Sequence, residues 1–411
     1  MGAIVFQNAR LLDVRAGAYR DAAVRVDGDR IVEVSDGPLT HDGVREVDLA
    51  GRVLMPGLID AHVHAVITTM NLAALQNRPP SLVAQQARVV LEGMLERGFT
   101  TVRDAAGADW GLAEAVEQGL IRGPRLFHSG MALSQTGGHG DFRPRTDTQP
   151  LCACQIHTNG FSHVADGVDA VRKAAREELR RGAKQIKIMA SGGVASPTDP
   201  VWNLQYSPEE MRAAVEEAAG WHTYVMAHAY SADAVTRAVE AGVRTIEHGN
   251  LIDDATAKLM AERGAFLVPT LVTYRVLDEL GSALGFPAES QRKVKDVLDA
   301  GLASIEIARR AGVEIGFGTD LLGEGHGQQS RELLIRAEVE AATDVLRSAT
   351  ITNARILGRE GELGEVVVGA LADLLVVDGD VLADLQCLQD QGEHLHMVMK
   401  GGEIAVDRLD G

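Results

Sequence analysis

Cysteine is scarce in this chain, and long apolar runs are missing. Three cysteines in 411 residues, Cys152, Cys154 and Cys387, are too few for a disulfide framework, which is typical of a reducing compartment. No stretch approaches the roughly 18 uninterrupted apolar residues of a membrane span. Residues 1–14 lack the basic and apolar regions of a secretion signal. We therefore expect a cytoplasmic protein with no membrane partner.

Positive charge is also in deficit. The chain has 40 lysines and arginines against 58 aspartates and glutamates, and its formal net charge is −18. Nucleic-acid binding relies on neutralising phosphates with Lys and Arg, so this balance argues against a nucleic-acid partner. Cys152 and Cys154 have a C-x-C spacing, with His157 and His163 nearby. We favour a polar loop with two thiols over a structural zinc site there.

Two kinds of pattern follow one another along the chain. Residues 1–56 show short strand patterns separated by glycine turns. From Leu58 onward, apolar runs of strand length alternate with helical stretches, as expected of parallel βα units. The predicted early strands cover 3–6, 23–26, 30–34 and 45–48. The second series covers 57–64, 100–104, 125–129, 185–190, 224–228, 245–248, 266–270 and 314–319, and the predicted helices cover 82–97, 167–181, 207–219, 232–241, 253–263 and 290–311.

The alternation of strands and helices predicts an α/β fold, a (β/α)8 TIM barrel. Eight units over about 300 residues fit a barrel better than a doubly wound sheet, and no G-x-G-x-x-G motif follows the first strand. After a helix near 345–357, further strands are predicted over 364–368, 373–377, 396–400 and 403–406. We therefore predict a barrel domain over 57–360 and a small β-sandwich domain formed by both termini, 1–56 and 361–411.

Ligand-type side chains lie at the ends of four predicted barrel strands. His62 and His64 are two positions apart on the first strand, so their side chains point to the same side. His228, His248 and Asp320 each stand where a later strand finishes. Barrel enzymes place their active sites at the carboxyl ends of the strands, so these residues should converge. Imidazole and carboxylate groups bind divalent metals, and a metal site is predicted there.

Lys187 is predicted to face the barrel interior, because Ile186 and Ile188 share the opposite face of its strand. An unpaired buried ammonium is costly, and one interpretation is a salt bridge with Asp320. Two metal ions beside a cationic lysine would repel it. Either Lys187 is neutralised or converted to an anion, or a single metal binds.

These motifs resemble those of the amidohydrolase superfamily. Residues 55–64 (MPGLIDAHVH) are similar to its opening motif, and 349–354, 363–364 and 369–376 resemble its tail. The resemblance covers essentially the whole chain and is most specific to the branch of Xaa-Pro dipeptidases (prolidases) and C-terminal-residue carboxypeptidases, which includes ochratoxin-degrading enzymes. The segments that carry the closer match are 98–104, 133–139, 187–197, 227–230, 245–250 and 318–323.

The resemblance implies a binuclear site with two divalent ions, zinc being the expected metal. His62, His64 and Asp320 would hold one ion, and His228 and His248 the other. Lys187 would bridge them as a carbamate formed with CO2, which replaces the cation by an anion. Relatives also suggest a homo-oligomer. The expected substrate is a dipeptide or an N-acyl amino acid from which the C-terminal residue is released.

Such a site predicts amide hydrolysis by a metal-bridging hydroxide. Asp320 is the candidate proton shuttle, acting as general base and then general acid. Tyr230 is a candidate to donate to the substrate carbonyl or to the oxyanion. His139 follows two glycines, which suits a flexible loop over the metals, and it is a candidate to contact the substrate. Arg143 and Arg145, in the same loop as His139, are candidates for binding the substrate carboxylate.

Two other functions stay open. One is hydrolysis of another amide, such as ochratoxin A with release of phenylalanine, or of a cyclic imidazolone. The imidazolone is the weaker of these, because the lysine strand and the loop over 135–139 resemble the peptidase branch. The other function is that of a non-catalytic scaffold, against which the six intact ligand positions argue.

Overall fold

The computed structural model describes residues 2–75, 77–143, 145–146, 161–196, 199–283, 285–286 and 288–409. The C-x-C pair, Cys152 and Cys154, lies outside these ranges together with His157. Cys387 is a free, partly buried thiol. None of the helices in the described ranges combines the length and the apolar character needed to cross a bilayer.

Eighteen strands are present in the described residues. Strands β1 to β18, in chain order, are Ile4–Asp13, Ala18–Asp27, Arg30–Ser35, Arg45–Asp48, Val53–Pro56, Leu58–Val63, Phe99–Asp104, Arg125–His128, Ala132–Ser134, Ser162–Val164, Ile186–Met189, Val225–Ser231, Thr245–Leu251, Phe266–Val268, Glu314–Ile315, Leu374–Val377, Leu395–Lys400 and Glu403–Asp407. Each of the eight predicted barrel strands overlaps one of them.

Helices α1 to α12 separate many of these strands. In chain order they are Leu72–Leu75, Pro80–Glu96, Trp110–Glu117, Val168–Arg180, Pro208–Gly220, Ala232–Ala241, Asp254–Arg263, Leu271–Leu280, Ala288–Ala311, Arg331–Arg336, Ala342–Arg347 and Asn353–Ile356. The six helices predicted between the barrel strands are all present, with ends shifted by at most two residues.

Local capping explains where several helices begin and end. Ser207 and Glu210 form a reciprocal capping box at the start of α5, and the Asp253 side chain accepts from the Thr256 amide at the start of α7. Helices α6 and α7 end at Gly242 and Gly264, where φ is 98° and 65°. Glycine adopts this left-handed conformation without a steric penalty, as expected at a helix C-terminus.

The strands form two parallel sheets and one mixed sheet. Seven strands pair in parallel in the order β10-β9-β11-β12-β13-β14-β15, and three in the order β6-β7-β8. Backbone hydrogen bonds also connect both edge strands of the three-stranded sheet with residues just outside strands of the seven-stranded sheet. The Ala61 amide donates to the Phe317 carbonyl at 2.8 Å, and the Lys184 amide to the His128 carbonyl at 2.8 Å.

The mixed sheet combines strands from both ends of the chain, as predicted. Its order is β18-β17-β16-β5-β1-β2-β3, with β4 paired to β1. Strand β16 shows why the mixed sheet packs against the parallel sheets. Its Leu375 and Val377 belong to the core cluster that contains Phe99 of β7. Leu374 and Val376, on the opposite face, join a core made within the terminal strands. Alternation along β16 therefore connects the two cores.

One predicted strand is wrong. Residues 364–368 form bends and irregular backbone that leads into a turn, and Gly364 and Gly369 at either end have φ of 79° and 92°. Val367 and Val368 are 41% and 62% exposed, so their β-branched side chains bury no face of a sheet. Strands β5, β9 and β10 were not predicted; β9 and β10 have only three residues each.

Candidate metal centre

The ligand-type residues predicted at the strand ends meet in one pocket. Asp320 Oδ1 lies 3.0 Å from His64 Nε2 and 3.4 Å from His62 Nε2. Asp320 Oδ2 lies 3.9 Å from His248 Nδ1. His62, His248 and Asp320 can each offer a ligand atom within 4.8 Å of the others. His228 joins them, since its ring centroid is 4.7 Å from that of His248.

Two of these residues have left-handed backbone conformations. His248 has φ of 75° and Asp320 has φ of 53°, which costs free energy for residues other than glycine and is common at functional sites. The segment with Asp320 is held to β6 because the Asp320 amide donates to the His62 carbonyl at 2.8 Å. At Gly318 a side chain would approach the His62 Cβ to 2.8 Å. The segment can therefore lie against His62 only without a side chain at 318.

Hydrogen bonds orient His62, in β6, and His64, directly after it. His62 Nδ1 lies 2.7 Å from Glu247 Oε2, and His64 Nδ1 lies 3.1 Å from the Ala106 carbonyl. Each ring thus turns its Nε2 towards Asp320. His62 Nε2 is buried and has no hydrogen-bond partner among the described residues. A buried nitrogen left unpaired in this way fits a metal ligand whose other nitrogen is held by an oxygen.

The remaining two histidines are held in the same manner. His248 Nδ1 lies 2.8 Å from Thr270 Oγ1, and His228 Nε2 lies 3.1 Å from the Gly192 carbonyl. Burial lowers the pKa of both rings well below its usual value, so they are neutral at physiological pH, as metal ligands must be. Imidazoles combined with a carboxylate form the donor set that zinc prefers. The residues present therefore fit a metal centre.

Glu247 and Arg103 support this centre from beneath, and the sequence patterns did not identify them. Both side chains are fully buried, and Arg103 Nη2 lies 2.9 Å and 3.0 Å from the two oxygens of Glu247. Arg103 Nε also donates to the Ala61 carbonyl at 2.6 Å. Burial raises the pKa of the Glu247 carboxyl, but Arg103 and His62 outweigh it and lower that pKa to about 2. The carboxylate is therefore ionised when it holds His62.

Lys187 lies in the same pocket, on β11, with its neighbours Ile186 and Ile188 in the hydrophobic core. It is 1% exposed. No carboxylate of the described residues forms an ion pair with it, so the salt bridge with Asp320 that we considered is not formed. Burial lowers the pKa of its amine to about 8, against the raising effect of Glu247 and Asp320. The neutral amine is therefore accessible near physiological pH.

His139 and Tyr230 complete the wall beside the histidines. The His139 ring stacks on that of His228 with centroids 4.2 Å apart, and its Nδ1 lies 2.8 Å from Ser196 Oγ. The Tyr274 hydroxyl donates to the Tyr230 hydroxyl at 2.9 Å. Thr273 and Tyr274 also line the pocket, and the remaining lining side chains are apolar: Ile67, Leu72, Phe142, Phe161, Met189, Val194, Ala195, Leu277 and Leu322.

The structure does not bring the two candidate arginines into this pocket. Arg143 Nε and Nη2 donate to the oxygens of Asp141 at 2.8 Å and 2.6 Å, and Arg145 is exposed. Neither residue lines the pocket, whereas their neighbour Phe142 does. Asp141, only two residues before Arg143, competes with a substrate carboxylate for its guanidinium.

Known proteins resemble the chain over most of its length. The amidohydrolase family matches residues 53–405. A crystal structure of a prolidase complexed with N-methylphosphonate-L-proline is 52% identical, with a TM-score of 0.96, and the match covers 98% of this chain and 99% of that one. A Xaa-Pro dipeptidase with methionine bound in its active site is 30% identical, with a TM-score of 0.89 and coverage of 98% and 99%.

A curated relative points in the same direction. Ochratoxinase from Aspergillus niger is 33% identical over 364 residues, which cover 86% of this chain and 75% of that enzyme. The family match extends from β5 to β18 and includes every residue of the candidate metal centre. The chain therefore belongs to the amidohydrolase family, and it is a hydrolase.

Proposed function

We propose that this hydrolase is a binuclear metal-dependent peptidase that cleaves the amide bond of dipeptides or N-acyl amino acids and releases the C-terminal amino acid, proline included. The observation that carries the proposal is the convergence in one pocket of four histidines, Asp320 and the buried Lys187, which forms no ion pair with a carboxylate of the described residues. The similarity to a prolidase and to a Xaa-Pro dipeptidase supports the choice of substrate class.

The proposal includes a closed barrel. The barrel domain would cover residues 57–360, and residues 1–56 and 361–411 would form the sandwich domain. The eight barrel strands would be β6, β7, β8, β11, β12, β13, β14 and β15. The backbone hydrogen bonds from Ala61 to Phe317 and from Lys184 to His128 support closure, since they connect the edge strands β6 and β8 with residues next to β15 and β11. Closure would place the carboxyl ends of all eight strands around the pocket.

We assign His62, His64 and Asp320 to one ion, His228 and His248 to the other, and Lys187 to both as a carbamate. The lowered pKa of Lys187 supports this assignment, because carboxylation by CO2 requires the neutral amine. Zinc is the proposed metal, given the imidazole and carboxylate donors. When bound, the two cations would lower the pKa of a water molecule and polarise the amide carbonyl.

Asp320 is the proposed proton shuttle. Burial raises the pKa of its carboxyl, but His62 and His64 outweigh it and hold that pKa well below its usual value. The carboxylate is ionised and can take the proton of the attacking water. It then passes that proton to the departing nitrogen, which would otherwise leave as an amide anion.

Tyr230 and His139 would act on the carbonyl oxygen. The Tyr230 hydroxyl accepts a hydrogen bond from Tyr274, so its own proton is available to the pocket. Burial raises the pKa of Tyr230 and keeps it protonated. A phenol held in this way can donate to the negative charge that develops on the oxygen. His139, whose ring stacks on that of His228, lines the same pocket.

Hydrolysis of an ochratoxin-type amide is the second candidate. The ochratoxinase relative and the apolar wall around Phe142 and Phe161 favour it, because the aromatic side chain of the C-terminal residue could pack against such a wall. The two candidates share the bond cleaved and differ in the C-terminal residue. An imidazolone hydrolase and a silent scaffold are the remaining alternatives.

The test combines metal analysis with a substrate screen. Protein purified without chelator and incubated with zinc and bicarbonate should hold close to two equivalents of metal by elemental analysis. It should release amino acids, detected by ninhydrin, from a panel of Xaa-Pro, Xaa-Met and Xaa-Phe dipeptides, N-acyl amino acids and ochratoxin A. Less than one equivalent of metal contradicts the binuclear site, and no release from any member of the panel contradicts the activity.

A further inference from the structure

Lys293 lies outside the metal centre but holds one wall of its pocket. It belongs to α9 and is 4% exposed. Its Nζ donates to three backbone carbonyls: Gly193 at 3.1 Å, Ser196 at 2.9 Å and Asp199 at 2.6 Å. An ammonium group has three donors, and all three are used here. A single buried cation therefore binds the stretch that follows β11, whose described residues are 193–196 and 199, at three points.

This stretch is in direct contact with the substrate pocket. Val194 and Ala195 line the pocket beside the histidines. Gly193 lies directly against the His139 ring, because a Cβ at that position would collide with the imidazole. A shift of the stretch would consequently change both the apolar wall and the space that His139 occupies.

Side chains of the same stretch fix His139 itself. The Ser196 hydroxyl donates to Asp199 Oδ1, so its oxygen accepts from His139 Nδ1 at 2.8 Å. Asp199 Oδ2 also accepts from Gln205 Nε2 at 2.9 Å and from the Gly193 amide at 3.1 Å. Gln205 Oε1 in turn accepts from the His139 amide at 2.8 Å. The ring and the backbone of His139 are thus both held by groups that Lys293 positions.

We propose that Lys293 is a positioning residue of the active site, which sets His139 and the wall formed by Val194 and Ala195 through its three carbonyl contacts. The inference rests on the proposed function, in which His139 contacts the substrate carbonyl. In this proposal the effect of Lys293 on kcat is transmitted through His139, and its effect on the wall appears in KM. A displacement of about 1 Å at a catalytic group can cost on the order of 10²-fold in rate.

The experiment is a double-mutant cycle between Lys293 and His139. Lys293→Met removes the cation and keeps the length of the side chain, and Lys295→Met, an exposed lysine of the same helix, is the matched control. Lys293→Met should lower kcat by on the order of 10–10²-fold, with a smaller change in KM. The same substitution in a His139→Ala background should lower kcat less than about twofold, because coupled residues are not additive.

Equal kcat for Lys293→Met and Lys295→Met would overturn the proposal, as would a penalty of the same size with and without His139. Should Lys293→Met fail to fold, Lys293→Gln enters the same cycle, since it removes the charge but retains hydrogen-bond donors.

A readout that needs no substrate separates this inference from the proposed function. Hydrogen exchange at the amides of Gly193 and His139, both hydrogen bonded in this network, should accelerate in Lys293→Met and not in Lys295→Met. If the wild type hydrolyses no substrate, the proposed function is wrong while exchange still tests the contacts of Lys293. If the wild type is active and exchange is unchanged by Lys293→Met, the positioning role is wrong.

Discussion

Replacement of Glu247 by glutamine removes the only carboxylate seen against the buried Arg103 in the described part of the chain. Glu247 accepts two hydrogen bonds from Arg103, one from Thr245 Oγ1 at 2.6 Å and one from His62 Nδ1 at 2.7 Å. Glutamine keeps the shape of the side chain but carries no charge, and its NH2 group would face another donor. The Arg103 guanidinium would remain buried without a counter-charge.

The size of the effect follows from burial. Loss of one partner of a fully buried ion pair costs about 3–5 kcal/mol, because the other charge stays desolvated. Glu279 and Arg331 form an otherwise comparable pair on the surface, with side chains 47% and 34% exposed. Glu279→Gln should cost no more than about 1 kcal/mol. His62 also loses the oxygen that orients it, so Glu247→Gln should weaken metal binding by about 10–100-fold.

Urea denaturation of the metal-free proteins, followed by circular dichroism, measures the first effect, and competition with a chelator measures the second. The addition of Arg103→Met to Glu247→Gln should recover part of the lost stability, since no charge is then left buried. A denaturation midpoint for Glu247→Gln no lower than that of Glu279→Gln would refute the reasoning, whatever the metal affinity.

Three further predictions concern other residues. Asp320→Asn should lower turnover by on the order of 10²–10⁴-fold; a metal-replete variant with wild-type turnover would contradict the shuttle role. Lys187→Ala should lose most activity and regain part of it when a short carboxylic acid is added, whereas Lys187→Arg should not be rescued by the acid. An unmodified Lys187 amine in the electron density of an active, metal-loaded enzyme would contradict the carbamate. Burial raises the pKa of Glu332 from 4.5 to about 8. The free energy of unfolding of the wild type should therefore fall, relative to that of Glu332→Gln, by about 1.4 kcal/mol per pH unit between these values and no further above 8. The same pH dependence of the unfolding free energy in both proteins would contradict it.

Local patterns were enough to predict most of the secondary structure and the residues that meet in the candidate metal centre. Hydrophobic periodicity and the glycines at 242 and 264 predicted helices α6 and α7 because capping depends on adjacent residues. Strand alternation predicted that His62 and His64 share a face. The carboxyl ends of parallel strands share one edge, which predicted that His228, His248 and Asp320 would meet.

Partners distant in sequence could not be predicted in this way. Glu247 and Arg103 are 144 positions apart. They meet because packing brings together β7 and β13, which belong to different parallel sheets. Strict alternation would turn Glu247 and His248 to opposite sides. The left-handed backbone at His248 brings both to the centre, and the tertiary contacts that compensate for its strain have no local signature.

The sequence by itself determined the order of the elements, the family and the side-chain types of the candidate metal centre, since each depends on short-range patterns or motifs. The tertiary structure alone decided which polar groups are paired. Arg143 binds Asp141 and stays out of the pocket. Lys187 forms no ion pair with a carboxylate of the described residues, and Lys293 binds three carbonyls of a stretch about 100 residues earlier. Burial makes each pairing energetically important, and burial is set by the packing of the whole chain.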